Sequence, residues 1–138
     1  MTSYLLDSNH LSPLITLGHP VREKILLRLT QGDRFVVPTI VLAEFMFGML
    51  LLPRVKQNRE IWATVSSQVE FISTTRDDAL QSARLRVELR RNGWQLKMPD
   101  ALIAVLALRN YFTLLTTDGD FDRVPELQIE NWHRRVSK

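Results

Sequence analysis

The chain has no cysteine, which excludes disulfide bridges, thiolate metal sites and a cysteine nucleophile. Any metal site must therefore use oxygen or histidine donors. Long apolar runs are lacking too: the longest tract, VVPTIVLAEFMFGMLLL from Val36 to Leu52, is interrupted by Glu44 and is too short to span a bilayer. The opening residues, MTSYLLDSNH, have neither the basic start nor the long apolar stretch of a secretion signal. A cytoplasmic chain without membrane insertion is expected. No repeat, low-complexity segment or Pro/Gly linker divides the sequence, so residues 1–138 are expected to form a single domain, burying roughly two thirds of the surface the unfolded chain exposes. Charge of one sign is in modest excess, with a net +3 and a pI near 9.7, which points only mildly to a polyanionic partner.

What is present alternates. Tyr4-Leu5-Leu6 reads as a strand ending at Asp7-Ser8-Asn9, three residues that favour turns and helix caps. From Pro20 to Gln31, Val21, Ile25 and Leu29 recur at helical spacing, with Pro20 suited to a first turn and Gly32 to a left-handed cap. Phe35-Val36-Val37 is a strand closed by Pro38, and Thr39 is expected to cap a helix to about Leu51. A helix over 54–67, a strand over 69–72 and a helix capped by Thr75 and ending at Asn92-Gly93 follow. Pro99 opens another helix to about Asn110, then come a strand over 112–116, the turn Asp118-Gly119-Asp120 and a last strand over 127–129. Short apolar strands alternating with helices predict an α/β fold with a mostly parallel sheet of about five strands covered on both faces. In such sheets ligands bind beyond the carboxyl ends of the strands, where Asp7 and Asp118 fall.

A helix apolar nearly all round is expected to be buried, and an unpaired ionised carboxylate inside it is costly. Glu44 should therefore face something positive, whether an arginine, a backbone group or a cation. Asp100 stands before a second apolar stretch, where an acid also interacts favourably with the helix macrodipole. If these helices pack beside the same strand ends, Asp7, Glu44, Asp100 and Asp118 converge, and without a counter-ion they would repel. A divalent cation resolves that conflict, and Mg²⁺ or Mn²⁺ suits carboxylate and water oxygens. Asp120 and Asp122 are alternatives for the metal shell but are expected chiefly to orient a solvent-facing turn, with Asp120 as a supporting residue of the site.

The segments LLDSN (5–9), VPTIVLAEFMFG (37–48), PDALIAVLAL (99–108) and LLTTDGDFDRV (114–124), in this order and placement, resemble the PIN-domain nucleases, and among them the VapC-type toxins of bacterial toxin-antitoxin pairs. The resemblance implies a three-layer α/β/α sandwich and an acidic metal site of Asp7, Glu44, Asp100 and Asp118. It also implies support from Ser8, Asn9 and Thr116, Mg²⁺- or Mn²⁺-dependent ribonuclease activity, and inhibition by a cognate antitoxin. His10 departs from the pattern, which more often has an aliphatic residue there; it is expected to sit exposed, with substrate contact as the alternative. A cation-activated water, with a carboxylate taking its proton, would attack a phosphodiester in line and leave a 5′-phosphate and a 3′-hydroxyl.

Setting the four acids aside leaves 11 acids against 18 bases. The excess clusters at Arg84, Arg86, Arg90, Arg91 and Lys97, candidates for holding RNA phosphates, and at His133, Arg134, Arg135 and Lys138. Trp62, Trp94 and Trp132 are expected to pack rather than stack on bases. Phe45, Met46, Phe47 and Met49 are candidates for a homodimer or antitoxin surface, because their helix has more apolar face than one core needs. Two other functions fit the same residues: a PIN-type RNA-processing nuclease outside a toxin-antitoxin pair, and a non-catalytic PIN-like binding module. The aspartyl-phosphate phosphatases also place an Asp after a first strand, but Asp7-Ser8-Asn9 lacks their second aspartate.

Overall fold

A computed structural model describes residues 1–133. Five strands, β1 (Ser3–Leu6), β2 (Arg34–Pro38), β3 (Glu70–Ile72), β4 (Thr113–Leu115) and β5 (Ile129–Glu130), form one sheet in the order β3-β2-β1-β4-β5. Every pairing is parallel. The helices between them are α1 (Ser8–Leu11), α2 (Pro20–Thr30), α3 (Thr39–Leu51), α4 (Val55–Ser66), α5 (Arg76–Arg91) and α6 (Met98–Asn110). The expected α/β architecture is thus observed. From β1 the chain moves outward through β2 to β3 and then returns past β1 to β4. Right-handed crossovers running in opposite directions put their helices on opposite faces, so α2 to α4 cover one side and α5 with α6 the other. The reversal lies between β1 and β4.

Burial follows from this layering. Leu5, Leu6, Val37, Leu114 and Leu115 are inaccessible on the central strands, as a sheet covered on both faces requires. Helix α6 is sunk against the sheet through Ala101, Ile103, Ala104, Leu106 and Ala107, whose small residues allow close approach. Among the described residues no helix is long and apolar enough to cross a membrane.

Local signals in the sequence mostly fell where the chain needed them. Gly32 (φ +91°) and Gly93 (φ +77°) take the left-handed conformation just past α2 and α5, and the Thr75–Asp78 capping box opens α5. Three details differ. Thr39 does not cap α3; Pro38 is the N-cap residue, and the Thr39 hydroxyl instead bonds Ser73 Oγ at 3.4 Å. By contrast, Asp7-Ser8-Asn9 acts in keeping with its capping residues: Asp7 is the N-cap of α1, and a 3₁₀ turn over Ser12–Ile15 continues that helix. The last strand begins two residues late, because pairing with β4 fixes its register through Leu114 N–H to Gln128 O at 2.8 Å and Thr116 N–H to Glu130 O at 3.1 Å. Most consequentially, α3 is not buried all round. Val41, Phe45 and Met49, one turn apart in succession, are buried in the core, Ile40, Leu42 and Met46 pack against it half-buried, and Phe47, Leu50 and Leu51 face outward.

Candidate active site

Pairing of β1 with β4 aligns Leu6 with Leu115, so the chain leaves both strands at the same level and Asp7 N–H continues the ladder to Leu115 O at 3.1 Å. Asp7, the residue after β1, and Asp118, three residues after β4, therefore share the sheet's carboxyl edge. Helix α6 delivers Asp100 from its first turn on one face, and α3 delivers Glu44 from the other. All four line a cleft of about 300 Å³, together with Ser8, Asn9, Ile40, Val41, Lys97, Pro99 and Ile103. Acids remote in the chain thus line one cleft at the strand-order reversal, where open α/β sheets bind ligands, although among the described residues the close carboxylate cluster there includes neither Asp7 nor Glu44.

The energetic reason given for Glu44 does not hold. Glu44 is exposed rather than buried, since α3 rides on the surface and turns that flank toward solvent at the mouth of the cleft. An apolar sequence on both sides of a residue does not distinguish a helix enclosed by protein from one with an uncovered apolar face.

Asp7 is the most constrained of the set. It is nearly buried, and its Oδ1 accepts from Ser8 N–H at 2.9 Å. Its Oδ2 accepts from the Thr116 hydroxyl at 2.7 Å and, more weakly, from Asn9 Nδ2 at 3.4 Å. Thr116 Oγ1 in turn accepts from Asp118 N–H at 3.0 Å, so one hydroxyl ties both strand-end aspartates together. Asn9 Oδ1 accepts Thr117 N–H at 3.1 Å. Ser8, Asn9 and Thr116 thus contact the acids, Ser8 through its backbone.

Asp118 and Asp120 are held by the turn between them. The Asp118 Oδ1 accepts from Asp120 N–H at 2.9 Å, opening a 3₁₀ turn over Gly119–Phe121. Each of Asp100, Asp118 and Asp120 offers a carboxylate oxygen within 4.8 Å of the others. Asp120, expected chiefly to orient the turn and to support the site, brings its carboxylate into the cluster; the Asp-Gly-Asp spacing that bends the chain also returns the second acid toward the first. Asp122 is exposed and outside the cluster. Behind the turn, Trp94 donates its indole N–H to Asp120 O at 3.1 Å, with Arg123 over its ring at 4.9 Å. No composition or spacing signal pointed to that role; Gly93 sets it by swinging the chain after α5.

Electrostatics reflect the crowding. Burial, and then repulsion from Asp7, Asp118 and Asp120, pushes the Asp100 carboxyl up to about 6, against the opposing charge of Lys97. This strain, an all-oxygen donor set and three carboxylate oxygens within a few ångströms fit a hard divalent cation, which would relieve the repulsion.

Of the basic residues expected near the acids, only Lys97 lines the cleft. Arg84, Arg86, Arg90 and Arg91 are exposed along α5, where Arg86 Nε donates to Leu96 O at 3.0 Å. Arg134, Arg135 and Lys138 lie outside the described residues. The tryptophans pack: Trp62 on Phe45 (4.9 Å) and Trp132 on Tyr4 (5.0 Å) and Phe35 (5.8 Å). The expectation for His10 is corrected. It is inaccessible to solvent, because α1 turns it under the C-terminal segment, and burial together with His133 pushes its pKa down to about 3.

With a parallel α/β sheet and acids gathered at its reversal point, the protein has the layout of a metal-dependent nuclease. The PIN domain model matches residues 4–127, and the chain belongs to the PIN-domain family. It is 29% identical over 132 residues to ribonuclease VapC2 of Rickettsia felis, covering 95% of this chain and 98% of that protein. It is 24% identical over 136 residues to the tRNA(fMet)-specific endonuclease VapC of Salmonella typhimurium, covering 96% and 99%. The crystal structure of VapBC2 from Rickettsia felis bound to a DNA fragment from their promoter superposes with a TM-score of 0.81 at 28% identity, covering 95% of this chain and 99% of that one.

Proposed function

We propose that Asp7, Glu44, Asp100 and Asp118 hold a divalent cation, Mg²⁺ or Mn²⁺, at which RNA phosphodiesters are hydrolysed. The observation that carries this reading is the convergence of these acids, from two strand ends and two helices on opposite faces, on one cleft in which the Asp100 carboxyl is driven up to about 6. The chain is a ribonuclease and the toxin of a toxin-antitoxin pair, with an antitoxin as its protein partner.

A bound divalent cation supplies a water of lowered pKa and neutralises charge on the scissile phosphate. The protein's own residues do the rest. Asp7, fixed by Ser8, Thr116 and Asn9, is a rigid donor whose oxygens do not wander with substrate. Asp100, crowded by Asp7, Asp118 and Asp120, is an acid whose repulsion a bound cation would relieve. Asp120 completes the cluster beside Asp118. Lys97, at the rim, offers a cation to an adjoining phosphate, and the arginines of α5 extend a basic track outside the cleft.

The exposed apolar residues of α3, Phe47, Leu50 and Leu51, continue into Leu52 and form the surface for the antitoxin or a second copy of the chain. The Phe45 and Met49 assigned there from sequence belong to the core instead.

The deciding experiment is incubation of the purified, antitoxin-free protein with total RNA, with and without EDTA, followed by mapping of 5′ ends. Discrete cleavage carrying 5′-phosphates, abolished by EDTA and by Asp118→Asn, is expected. EDTA-resistant cleavage would remove the cation from the mechanism, and wild-type activity of the variant would remove Asp118.

A further inference from the structure

His10 is the most deeply buried ionisable group beside the cleft, and it joins two parts of the chain 122 positions apart. Trp132 N–H donates to its Nε2 at 3.0 Å. A backbone N–H can only donate, so Nε2 carries no hydrogen, and the ring's one proton sits on Nδ1. That nitrogen is 2.7 Å from Asn9 Oδ1, to which it donates. The same oxygen accepts Thr117 N–H at 3.1 Å, so the Asn9 amide is fixed with its oxygen toward these two donors. Its Nδ2 then points at Asp7 Oδ2 and Thr116 Oγ1, each 3.4 Å away. A second tie runs alongside: His133 Nε2 lies 2.6 Å from Asn9 O, a carbonyl that can only accept, so this ring donates.

The far end of the chain of bonds is firm. Trp132 is 9% exposed, edge-on to Tyr4 and Phe35 of the central strands. Orientation therefore passes from the core through Trp132 to His10, to the Asn9 amide and to the Asp7 carboxylate. An aliphatic side chain could fill the same space, but it could neither accept from Trp132 nor donate to Asn9.

We propose that His10 is a positioning residue of the acidic site: as a neutral Nδ1–H imidazole it sets the Asn9 amide against Asp7 and makes the Trp132–His133 segment part of the site's support. This rests on the reading of Asp7 as a cation-holding group. Residues that orient metal-holding side chains typically change metal affinity or activity by roughly 10–100-fold when removed.

The test is Mn²⁺ affinity, titrated by calorimetry on the folded full-length protein, alongside RNA cleavage and thermal melting. His10→Leu keeps the apolar volume and removes both bonds. It should weaken Mn²⁺ binding about 10-fold or more, lower kcat comparably and leave KM for RNA unchanged. In an Asn9→Ala background the same change should add no further loss of Mn²⁺ affinity, because the route to Asp7 is already cut. If His10→Leu does not fold, His10→Met, whose thioether accepts weakly from Trp132 N–H but cannot donate to Asn9, serves in its place with the same expected loss. A lowered melting temperature with unchanged Mn²⁺ affinity, or losses that add fully in the double variant, would overturn the proposal. Wild-type protein that binds no Mn²⁺ would overturn the cation site itself; wild-type binding matched by His10→Leu overturns only the role of His10.

Discussion

The Thr116 hydroxyl donates to Asp7 Oδ2 at 2.7 Å while its oxygen receives Asp118 N–H at 3.0 Å, coupling two acids that are 111 positions apart through one side chain. Thr116 is buried, so water cannot readily replace these bonds. Thr116→Val preserves shape and removes the hydroxyl. RNA cleavage should fall by about 10–100-fold, the range for groups that orient metal-holding side chains, while Thr116→Ser keeps most of the activity. Single-turnover cleavage with excess enzyme checks this; a valine variant as active as wild type would show that the hydroxyl orients nothing.

A pH-dependent stability follows from Asp100. Its folded-state pKa, about 6, stands above its ordinary 3.8, so the folded protein binds this proton more tightly than the unfolded chain does. Stability from this group is full below the ordinary value and is lost as pH rises through about 6. Asp100→Asn should remove that decline. At pH 7 without divalent ions the variant should melt a few degrees higher than wild type, on the order of 1 kcal/mol after allowing for solvent on the open side of the cleft. Mn²⁺ should raise the melting temperature of wild type more than that of the variant. Melting curves from pH 4 to 8, in EDTA and in Mn²⁺, test both statements, and parallel pH profiles would contradict the first.

Much of this site was legible before the fold was known, for identifiable reasons. Asp7 and Asp118 could be placed because a short apolar strand ending in a polar turn leaves little choice about where the next side chain points. Asp100 could be placed because Pro99 fixes where its helix begins. Glu44 lines the cleft, but not as the buried acid its apolar helix suggested, since hydropathy registers how apolar a helix is and not whether anything covers it. His10 and Trp94 were not legible at all. Their roles depend on partners 122 and 26 positions away, Trp132 and Asp120, and no local pattern encodes such pairings. Asp120 was weighed chiefly as a turn residue because Asp-Gly-Asp is first of all a turn signal, and the convergence of its carboxylate with Asp100 exists only once α6 has docked.

The outward face of α3 supplies a prediction about partners. Phe47 and Leu51 are 69% and 70% exposed, four residues apart and so on one face of the helix, whereas Phe45 is only 6% exposed. Phe47→Glu with Leu51→Lys should leave stability within about 0.5 kcal/mol, as for other surface changes, and leave cleavage by the free protein nearly unchanged. It should weaken antitoxin binding or self-association. Co-purification with the antitoxin and light scattering after gel filtration measure these separately; a double variant that keeps its antitoxin and its oligomeric state would locate the partner surface elsewhere.

Asp78 and Arg109 offer a control in which stability and chemistry should separate. Asp78 is fully buried and receives Arg109 Nε and Nη2 at 2.8 and 2.9 Å as well as Thr75 N–H at 2.8 Å. Burial pushes its pKa up, but the bonds from Arg109 and Thr75 outweigh it and hold the carboxyl below its ordinary value. The resulting stability is present above the ordinary carboxylate value and is lost as pH falls through the depressed one. Arg109→Met leaves the buried carboxylate with its capping bonds only. The expected cost is about 2–3 kcal/mol at pH 7, below the usual figure for fully buried pairs because the Arg109 side chain is 39% exposed. The cost should shrink as pH falls and Asp78 becomes protonated. Arg109 sits nine residues beyond Asp100 on α6, about 13 Å along the axis. Cleavage per folded molecule should therefore stay at the wild-type level, which urea melts at pH 4 and 7 with parallel RNA assays can establish; a fall in turnover by the fully folded variant would mean that the α5–α6 contact reaches the acidic cleft.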